Sequence, residues 1–467
     1  MRKYIYILFF VFLWAMWYFA CPYFLIWLEG FSCFSAAPDF TALYFDLPGD
    51  IFRYLGAFLL QFYAYPAVGA AIQALLAVLT VFCVSSVIRR LFKESDGLLW
   101  VAFAVLPLYV YCQLNDMTLT WSLTTMTSAA AVSSVVWLST LSGKPFGKVP
   151  GFIRNRYVDL ALLVVSAVAT FFVFTEANSM VHEYEDVAHL EYLAENGEWD
   201  EILKTVSTQD AVRNEYKRRY VLLALAQVGN LPDYAFRYGL SSSEDFLFYT
   251  YQEPFCLAFN VLFYRSLGLN NPAVYHLYQQ TIHSYTGLNF DGLRTLTDIY
   301  LEQKDYDLAR KYMDILSHST LHGKWLEERI PVLESIKDEE PVSRITGEPF
   351  VLESFLTDLS YLTDKYPADH RFADYLLCGV LAERDGGTFL NIFNIVADTL
   401  YPDGEQIPVL YQEALLMIAN KEPEILQKYK IDEEVMKRYS DFTDLRRNGN
   451  SAQAKRKYAG TYWTYVN

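Results

Sequence analysis

The stretch YVDLALLVVSAVATFFVFT, residues 157–175, is the last strongly apolar segment of the chain. Before it, apolar stretches of membrane-spanning length follow one another, whereas residues 176–467 are acidic, rich in tyrosine and helical in pattern. An apolar stretch of this length crosses the hydrocarbon core of a bilayer as one helix. The sequence therefore predicts a membrane domain over residues 1–175, followed by a soluble segment.

The negative charge of the chain lies in this second segment. Hydrophobic residues make up 53% of the chain, and its net charge is −16. Up to residue 175 there are 10 Lys and Arg against 8 Asp and Glu, which leaves 28 against 46 for the remainder. Because nucleic-acid binding relies on clustered Lys and Arg, this acidic excess predicts no nucleic-acid partner. The six cysteines show no CxxC and no regular spacing, so neither a zinc site nor a disulfide framework is predicted.

Five apolar segments are long enough to cross a bilayer core of about 30 Å. The first follows Arg2 and Lys3 and is interpreted as an uncleaved span, although a positive start before an apolar core is also the signature of a signal peptide. A further segment, residues 51–65, is interrupted by Arg53 and Gln61, which favours an interfacial or re-entrant helix. The predicted spans are residues 4–28, 67–88, 97–112, 119–141 and 157–175.

The loops between these segments predict the orientation of the chain. Lys and Arg concentrate on the cytoplasmic side of short loops, and here they fall on alternate loops, with carboxylates on the others. Five crossings satisfy this rule with the N-terminus in the cytoplasm. The predicted protein is therefore a multi-pass inner-membrane protein in contact with membrane lipid, with everything after residue 175 in the periplasm.

From residue 176 onward, turn signals recur at the interval of a helical hairpin. Their spacings of 32, 39 and 35 residues bracket the tetratricopeptide period of about 34. The segments between them carry helical periodicity, and no segment alternates convincingly at period two. The predicted fold class is all-α, with TPR-like hairpins stacked into a short superhelix. The turn signals are centred on Gly197, Gly229, Gly268 and Gln303.

A charged segment interrupted by Pro341, Gly347 and Pro349 separates these hairpins from further predicted helices. We therefore divide the chain into a membrane domain, a TPR-like domain and a C-terminal helical extension. The predicted domains are residues 1–175, 176–335 and 336–467.

Five motifs are distributed over most of the chain: EGFSCFSAAPDF from residue 29, LPGDIFRYLGAFLLQFYAYP from 47, EWDEILKTV from 198, LALAQVGNLPDYAFRYG from 223 and IPVLYQEALL from 407. Together they resemble a family of uncharacterised multi-span membrane proteins from the Bacteroides group. The resemblance implies an envelope location and a membrane-plus-repeat layout, with no catalytic residues to carry over.

The signatures of nucleotide binding, of serine hydrolases and of zinc proteases do not occur in the sequence. His318 and His322 are spaced i, i+4, a spacing that places two metal ligands on one helix face. A third ligand is not identifiable, and the alternative is a pair of histidines near a helix end. We predict no cofactor.

An enzymatic alternative rests on the acidic outer loop, residues 29–50, and on the amphipathic segment after it, residues 51–65. This arrangement is similar to the start of membrane glycosyltransferases that use lipid-linked sugars, in which an outward carboxylate acts as a base or binds a metal. Glu29, Asp39, Asp46 or Asp50 would be that carboxylate, and Arg53 would contact the phosphate.

The preferred hypothesis is not enzymatic. It is an inner-membrane protein whose periplasmic helical segment binds a protein partner or another envelope component, since stacked hairpins present extended concave surfaces and tyrosine is frequent at interfaces.

Overall fold

The structure is a computed structural model. Its regular secondary structure is helical throughout the described residues, which confirms the predicted all-α class. The residues that it describes are 2–42, 44–45, 49–92, 98–139, 156–249, 253–284, 286–337, 339, 354–402 and 407–466.

The helices follow one another in chain order, with 3-10 turns at Gln61–Ala64 and Ser243–Phe246. The first nine are α1 Arg2–Ala20, α2 Pro22–Phe31, α3 Pro38–Ala42, α4 Asp50–Leu60, α5 Pro66–Leu91, α6 Leu99–Phe103, α7 Leu106–Gln113, α8 Thr120–Ser139 and α9 Arg156–Glu176. The next ten are α10 Met180–Glu195, α11 Trp199–Thr205, α12 Thr208–Arg213, α13 Glu215–Gln227, α14 Leu231–Tyr234, α15 Pro254–Ser266, α16 Asn270–Thr281, α17 Phe290–Glu302, α18 Tyr306–Ser317 and α19 Gly323–Ser335. The last eight are α20 Phe355–Lys365, α21 His370–Ala382, α22 Gly386–Leu400, α23 Val409–Ala419, α24 Ile425–Lys428, α25 Glu433–Arg447, α26 Ser451–Lys457 and α27 Tyr462–Val466.

Residue contacts divide the chain into two compact units, each built from two separate segments. The first unit combines Met1–His189 with Thr281–Arg344, and the second combines Leu190–Gln280 with Ile345–Asn467. The three domains predicted from composition stay a prediction.

In the first unit, three helices are long and apolar enough to cross a membrane, as judged on the described residues. They are Lys3–Ala20, Pro66–Leu91 and Tyr157–Glu176, and the apolar segment Leu99–Gln113 is shorter. These helices are compatible with a membrane protein. The predicted number of about five passes is higher than this count and stays a prediction.

The first predicted span, residues 4–28, is two helices rather than one. A new helix begins at Pro22, whose ring nitrogen has no N–H to continue the preceding ladder. The next two N–H groups, of Tyr23 and Phe24, donate to the Glu185 carboxylate at 3.2 and 2.7 Å. Because a carboxylate suits the positive end of the helix dipole, Glu185 of α10 caps α2.

Residues 98–116 run along α9 from one end to the other. Near the start of both segments, the Trp100 backbone N–H donates to the Asp159 carboxylate at 3.1 Å. Just beyond the far end of α9, the Met180 N–H donates to the Asn115 side chain at 3.4 Å. The pair α6 and α7 therefore extends along the same length as the single helix α9.

Helix α5 packs against α1 and α8 in opposite senses. The Trp14 indole, late in α1, donates to the carbonyl oxygen of Ala67, early in α5, at 2.9 Å, so these two helices are antiparallel. At the other end, the Arg90 guanidinium, late in α5, lies 5.8 Å from the ring centre of Trp137, late in α8. Helices α5 and α8 are therefore parallel.

Helices α17 and α18 form a hairpin in the first unit, followed by α19. The sequence pattern of this hairpin predicts six positions that face neighbouring helices. Of these, Leu296, Ile299, Ala309 and Tyr312 are buried, whereas Tyr300 and Tyr306 are partly exposed. Ala309 is completely buried, as expected for a small residue at a close helix approach.

At each of the four predicted turns, the helix before the turn ends at a residue in the left-handed conformation. Gly197, Gly229 and Gly268 have φ angles of 70°, 75° and 75°, and Lys304 has a φ of 56°. At each turn the following N–H bonds to the carbonyl five residues before it, at 2.8 to 2.9 Å, which is the Schellman arrangement. Glycine adopts this conformation without a Cβ clash, whereas Lys304 adopts it against its own preference.

Aromatic residues fill the core of the second unit. Tyr220, Phe246, Tyr375, Tyr411 and Trp463 are almost completely buried. The last of these lies in the C-terminal helix α27, whose first N–H donates to a buried glutamate of α23 at 2.7 Å. Tyrosines therefore contribute to the interior of this unit, while others, such as Tyr275 and Tyr361, lie on its surface.

We predict that replacing Glu185 by Gln changes how stability depends on pH. Burial raises the pKa of Glu185 to about 7, above its ordinary value of 4.5, so folding favours the protonated form. This contribution to stability is complete below about pH 4.5 and is lost as the pH rises through about 7, by roughly 3 kcal/mol. We expect the midpoint temperature of thermal unfolding, measured on the detergent-solubilised protein between pH 4.5 and 8, to decrease less steeply with pH for Glu185→Gln than for the wild type. The matched control, Glu183→Gln, changes an exposed carboxylate on the same helix and should leave the profile unchanged.

Candidate functional site

Glu29, the first carboxylate of the enzymatic alternative, is held in a buried ion pair. It lies near the end of α2, and its side chain is only 4% exposed. Arg294 of α17 donates to both carboxylate oxygens, at 3.3 and 3.2 Å. Two parallel N–H bonds between a guanidinium and a carboxylate are among the stronger polar contacts in proteins, and they also fix geometry.

Asp291, in the first turn of α17, is the second acceptor of Arg294. Its carboxylate approaches α2 so closely that a Cβ at Gly30 would collide with it. Any larger residue at position 30 would therefore displace the Asp291 carboxylate from its place beside Arg294.

His322 completes this cluster as a neutral imidazole. Its Nε2 accepts from Arg294 at 3.2 Å, and its Nδ1 lies 2.8 Å from the hydroxyl oxygen of Ser319. Since Ser319 donates its own proton to the Leu316 carbonyl, Nδ1 is the nitrogen that carries the proton. Burial, together with the Arg294 charge, lowers the pKa of His322 to about 4, so it is uncharged at neutral pH.

The predicted metal pair is not on one helix face. His318 follows the end of α18, where its Nδ1 lies 2.8 Å from the Asp314 carbonyl oxygen, and His322 precedes the start of α19. The i, i+4 spacing therefore crosses a turn between two helices. Among the described residues, no group of three His, Cys, Asp or Glu side chains is arranged to hold a metal ion.

Burial raises the pKa of Glu29, and the positive charge of Arg294 opposes this effect. The Asp291 carboxylate acts in the same direction as burial. The cluster therefore depends on Arg294, because this guanidinium is the cation that compensates both carboxylates.

Backbone contacts join the loop after α2 to the chain around this cluster. The Phe290 N–H donates to the Ser32 carbonyl at 2.8 Å, and the Ala36 N–H donates to the His318 carbonyl at 3.0 Å. Gln61, a polar interruption of the predicted interfacial segment, accepts from the Thr320 N–H at 2.9 Å. The acidic loop is therefore part of a packed structure.

Of the other carboxylates in the enzymatic alternative, Asp39 and Asp50 lie among the described residues. Asp50 has a side chain that is 3% exposed and accepts from Arg53 at 3.1 Å. Asp39 is exposed in the first turn of α3. Asp46 lies outside the described residues.

A cavity of about 370 Å³ adjoins α2 and α4. Its volume is in the lower part of the range of small-molecule pockets, about 300 to 1,000 Å³. Of the predicted site residues, Arg53 lines it, whereas Glu29 and Asp50 do not. The other lining residues are Leu28, Phe31, Ser32, Cys33, Tyr44, Ala57, Leu60, Met117, Thr118, Thr120, His283, Ser284, Thr286 and Leu288.

Arg294 and Asp291 are the residues that sequence reasoning missed. They lie 265 and 262 positions after Glu29, in a segment whose periodicity predicts a helix but no site residue. No local spacing signals a pairing over such a distance. The one available signal was a carboxylate at the end of an apolar segment, which requires a cation when it is buried.

A family model matches nearly the whole chain, over residues 1–149 and 152–467. The chain belongs to DUF6057. This is a family of unknown function, which agrees with the resemblance to an uncharacterised family and supplies no functional residues. The comparisons with curated proteins and with solved structures give no match.

We predict that Arg294→Ala lowers the free energy of unfolding by about 3 kcal/mol, because it leaves Glu29 buried without its cation. Arg447→Ala, which removes an 81% exposed partner of Asp444, is the matched control and should cost less than about 0.5 kcal/mol. Chemical unfolding of both variants, followed by circular dichroism, measures the difference. Equal effects of the two substitutions would contradict a structural role for the Glu29 pair.

Proposed function

We propose that this protein is a membrane-anchored interaction scaffold of the cell envelope. The N-terminal helices form the anchor in the inner membrane, and the acidic helical segment binds another protein or an envelope component in the periplasm. TPR-like stacking of the hairpins over residues 176–335 belongs to this proposal, since stacked hairpins provide extended binding surfaces.

The observation that carries the proposal is the buried ion pair between Glu29 and Arg294. A catalytic base must reach the proton that it abstracts. Glu29 is instead 4% exposed, is bonded through both oxygens to Arg294 and does not line the neighbouring cavity. Asp50 is similarly buried and bonded to Arg53. These contacts favour a structural role for the acidic loop over a catalytic one.

The packing of the first unit favours five passes. Helices α6 and α7 together parallel the length of α9, and their contacts with Asp159 and Asn115 lie at opposite ends of it. α8 then returns alongside α5, with Trp137 next to Arg90. Three and five are both odd numbers of passes, so either number would put residues 176–467 on the side of the membrane opposite the N-terminus. The positive loops assign the N-terminus to the cytoplasm.

We predict that a cysteine at Asn115 is labelled from outside the inner membrane. Asn115 is exposed at the end of the bundle next to Met180, so five passes place it in the periplasm. Ser139→Cys, at the opposite end of α8, is the matched control and should react only after permeabilisation. A membrane-impermeant maleimide, applied to spheroplasts and compared with the unsubstituted chain, measures this. Protection of Asn115→Cys would leave three passes, and an inactive phosphatase fusion at the C-terminus would overturn the periplasmic assignment.

The cavity beside Arg53 is the observation that favours the second candidate function. Its mainly apolar lining, with one guanidinium and several hydroxyls, suits an amphiphile such as a lipid-linked sugar. That ligand would suit the glycosyltransferase alternative, for which the described residues place no carboxylate on the cavity wall. We therefore rank it below the scaffold.

We predict that a photo-crosslinker at Tyr361 captures a protein in intact cells. Tyr361 is 50% exposed on α20 of the second unit. A crosslinker at Trp137, which is 46% exposed on α8, is the control and should label lipid instead. Mass spectrometry of the adducts identifies both classes. If Tyr361 yields no protein adduct and a lipid-linked sugar copurifies with the chain, the scaffold proposal fails.

A further inference from the structure

One short segment of the second unit is basic, although the chain as a whole is acidic. Residues 345–445 hold 19 Asp and Glu against 8 Lys and Arg, whereas residues 446–467 hold five Lys and Arg and no Asp or Glu. All five cations are exposed, and they lie within 12 residues of one another. This basic segment contains Arg446, Arg447, Lys455, Arg456 and Lys457.

Helices α25 and α26 hold these cations in an antiparallel hairpin. The Asn450 N–H closes the turn between the helices, since it donates to the Leu445 carbonyl at 2.9 Å. The Phe442 and Tyr458 rings meet edge-on, with their centres 5.9 Å apart, and Ala454 is completely buried. The apolar side of α26 is therefore packed against α25, and its charged side faces solvent.

The C-terminal helix α27 attaches this hairpin to the rest of the second unit. Trp463 is completely buried, and its ring centre lies 6.0 Å from that of Phe442. The Tyr462 N–H donates to the Glu413 carboxylate of α23 at 2.7 Å. The basic segment is therefore held between packed elements. Such a surface loses less conformational freedom on binding than a loose tail does.

An open groove of about 650 Å³ lies along the charged side of α26 and the turn before it. Its wall carries small residues, amides and cations, and no carboxylate. Amide, ammonium and guanidinium groups all donate N–H bonds, so the groove suits an anionic ligand. The lining residues are Gly449, Asn450, Ala452, Gln453, Arg456 and Lys457.

The fold leaves most of this positive charge uncompensated. Lys455 and Arg456 form no ion pair with any residue that the structure describes. Arg447 and Lys457 each lie 3.9 Å from a carboxylate of α25, but all the side chains in these two contacts are at least half exposed. Exposed pairs of this kind contribute little, because water screens both charges. The segment therefore keeps a net positive charge.

The shape of the site favours a peptide over a lipid bilayer. A bilayer surface is flat on this scale and does not enter a concave groove, whereas an extended chain can lie along it. Helices that bind a bilayer surface also insert apolar side chains. Between residues 437 and 466, no large apolar side chain is exposed.

We propose that this groove binds an acidic segment of the protein partner of the scaffold. Carboxylates of that segment would accept N–H bonds from Arg456 and Lys457, and the neighbouring cations would attract it over a longer range. This inference rests on the proposed function and specifies the chemistry of the partner. The acidic remainder of the second unit repels such a segment, so binding is confined to the groove.

An acidic peptide tests this assignment with the full-length protein in neutral phosphatidylcholine nanodiscs. The probe is a fluorescent peptide with several glutamates among glycines and serines, and fluorescence anisotropy measures its affinity. The double variant Arg456→Glu/Lys457→Glu should weaken binding about 10-fold, because two attractive charges become repulsive. The matched control, Lys421→Glu/Lys430→Glu, reverses two exposed charges of the same unit and should change the affinity less than about 2-fold. Equal losses for the two double variants, or no binding to the folded wild type, would overturn the assignment.

An uncharged substitution separates the groove from general basicity. Ala452 is exposed on the groove wall, so Ala452→Trp fills the groove without changing its charge. This variant should weaken the peptide about 5-fold by steric exclusion, whereas Ala452→Ser should not. Circular dichroism verifies that both variants are folded. Unchanged affinity of Ala452→Trp would show that the groove is not the binding site.

Other occupants of the groove give different results. Phosphatidylglycerol vesicles should displace the peptide no more than phosphatidylcholine vesicles do, and stronger displacement would assign the surface to anionic lipid. Light scattering in detergent should give the same mass for the wild type and for Arg456→Glu/Lys457→Glu. A dimer that only the wild type forms would make a second copy the occupant and overturn the assignment.

Photo-crosslinking from Tyr361 in cells separates this inference from the proposed function. The protein adduct should decrease in the Arg456→Glu/Lys457→Glu background. If the adduct persists there, the scaffold stands and the groove assignment fails. Absence of a protein adduct already in the wild type counts against the scaffold itself.

Discussion

The bidentate contact between Arg294 and Glu29 is the constraint on which the first unit depends. It joins residues 265 positions apart, and it brings the Asp291 side chain of α17 so close to α2 that a Cβ at position 30 would displace that carboxylate. A carboxylate buried at the end of an apolar segment would otherwise carry a large desolvation cost. The pair also orients His322, because one guanidinium nitrogen serves both groups. The acidic loop that suggested an active site therefore has a structural explanation.

In the same unit, the number of membrane passes inferred from the hydropathy of single helices differs from the number that the packing of the helices favours. The hydropathy of a single helix identifies three spans, because α6 and α7 are short and α8 is rich in serine and threonine. Packing instead relates each helix to its neighbours, and the contacts of Trp100 and Asn115 occur at the two ends of α9. Membrane helices tolerate small polar residues at their interfaces, where hydroxyls bond to the preceding turn. A weakly apolar helix such as α8 is thus compatible with a span, because its Thr124, Thr127 and Ser134 hydroxyls donate to carbonyl oxygens of the preceding turn.

Local features of the fold could be predicted from the sequence, and contacts between distant residues could not. The glycine turns at positions 197, 229 and 268 follow from local backbone preference, and their observed φ angles are left-handed. Lys304 occupies the fourth turn without any glycine, because the hairpin contacts of α17 and α18 impose its conformation. The break before Pro22 was missed because apolarity continues through it, although proline and a remote carboxylate end the ladder there. Arg294 carries no local signal at all.

Arginine neighbours decide how a buried carboxylate is accommodated in this protein. Glu29 and Asp50 are buried with an arginine within hydrogen-bond distance, so their charges are compensated inside the fold. Asp358, in α20 of the second unit, has a buried oxygen without a hydrogen bond among the described residues, and burial raises the pKa of its carboxyl group. Buried polar atoms are normally paired, so this oxygen keeps a desolvation cost that the paired oxygens of Glu29 avoid.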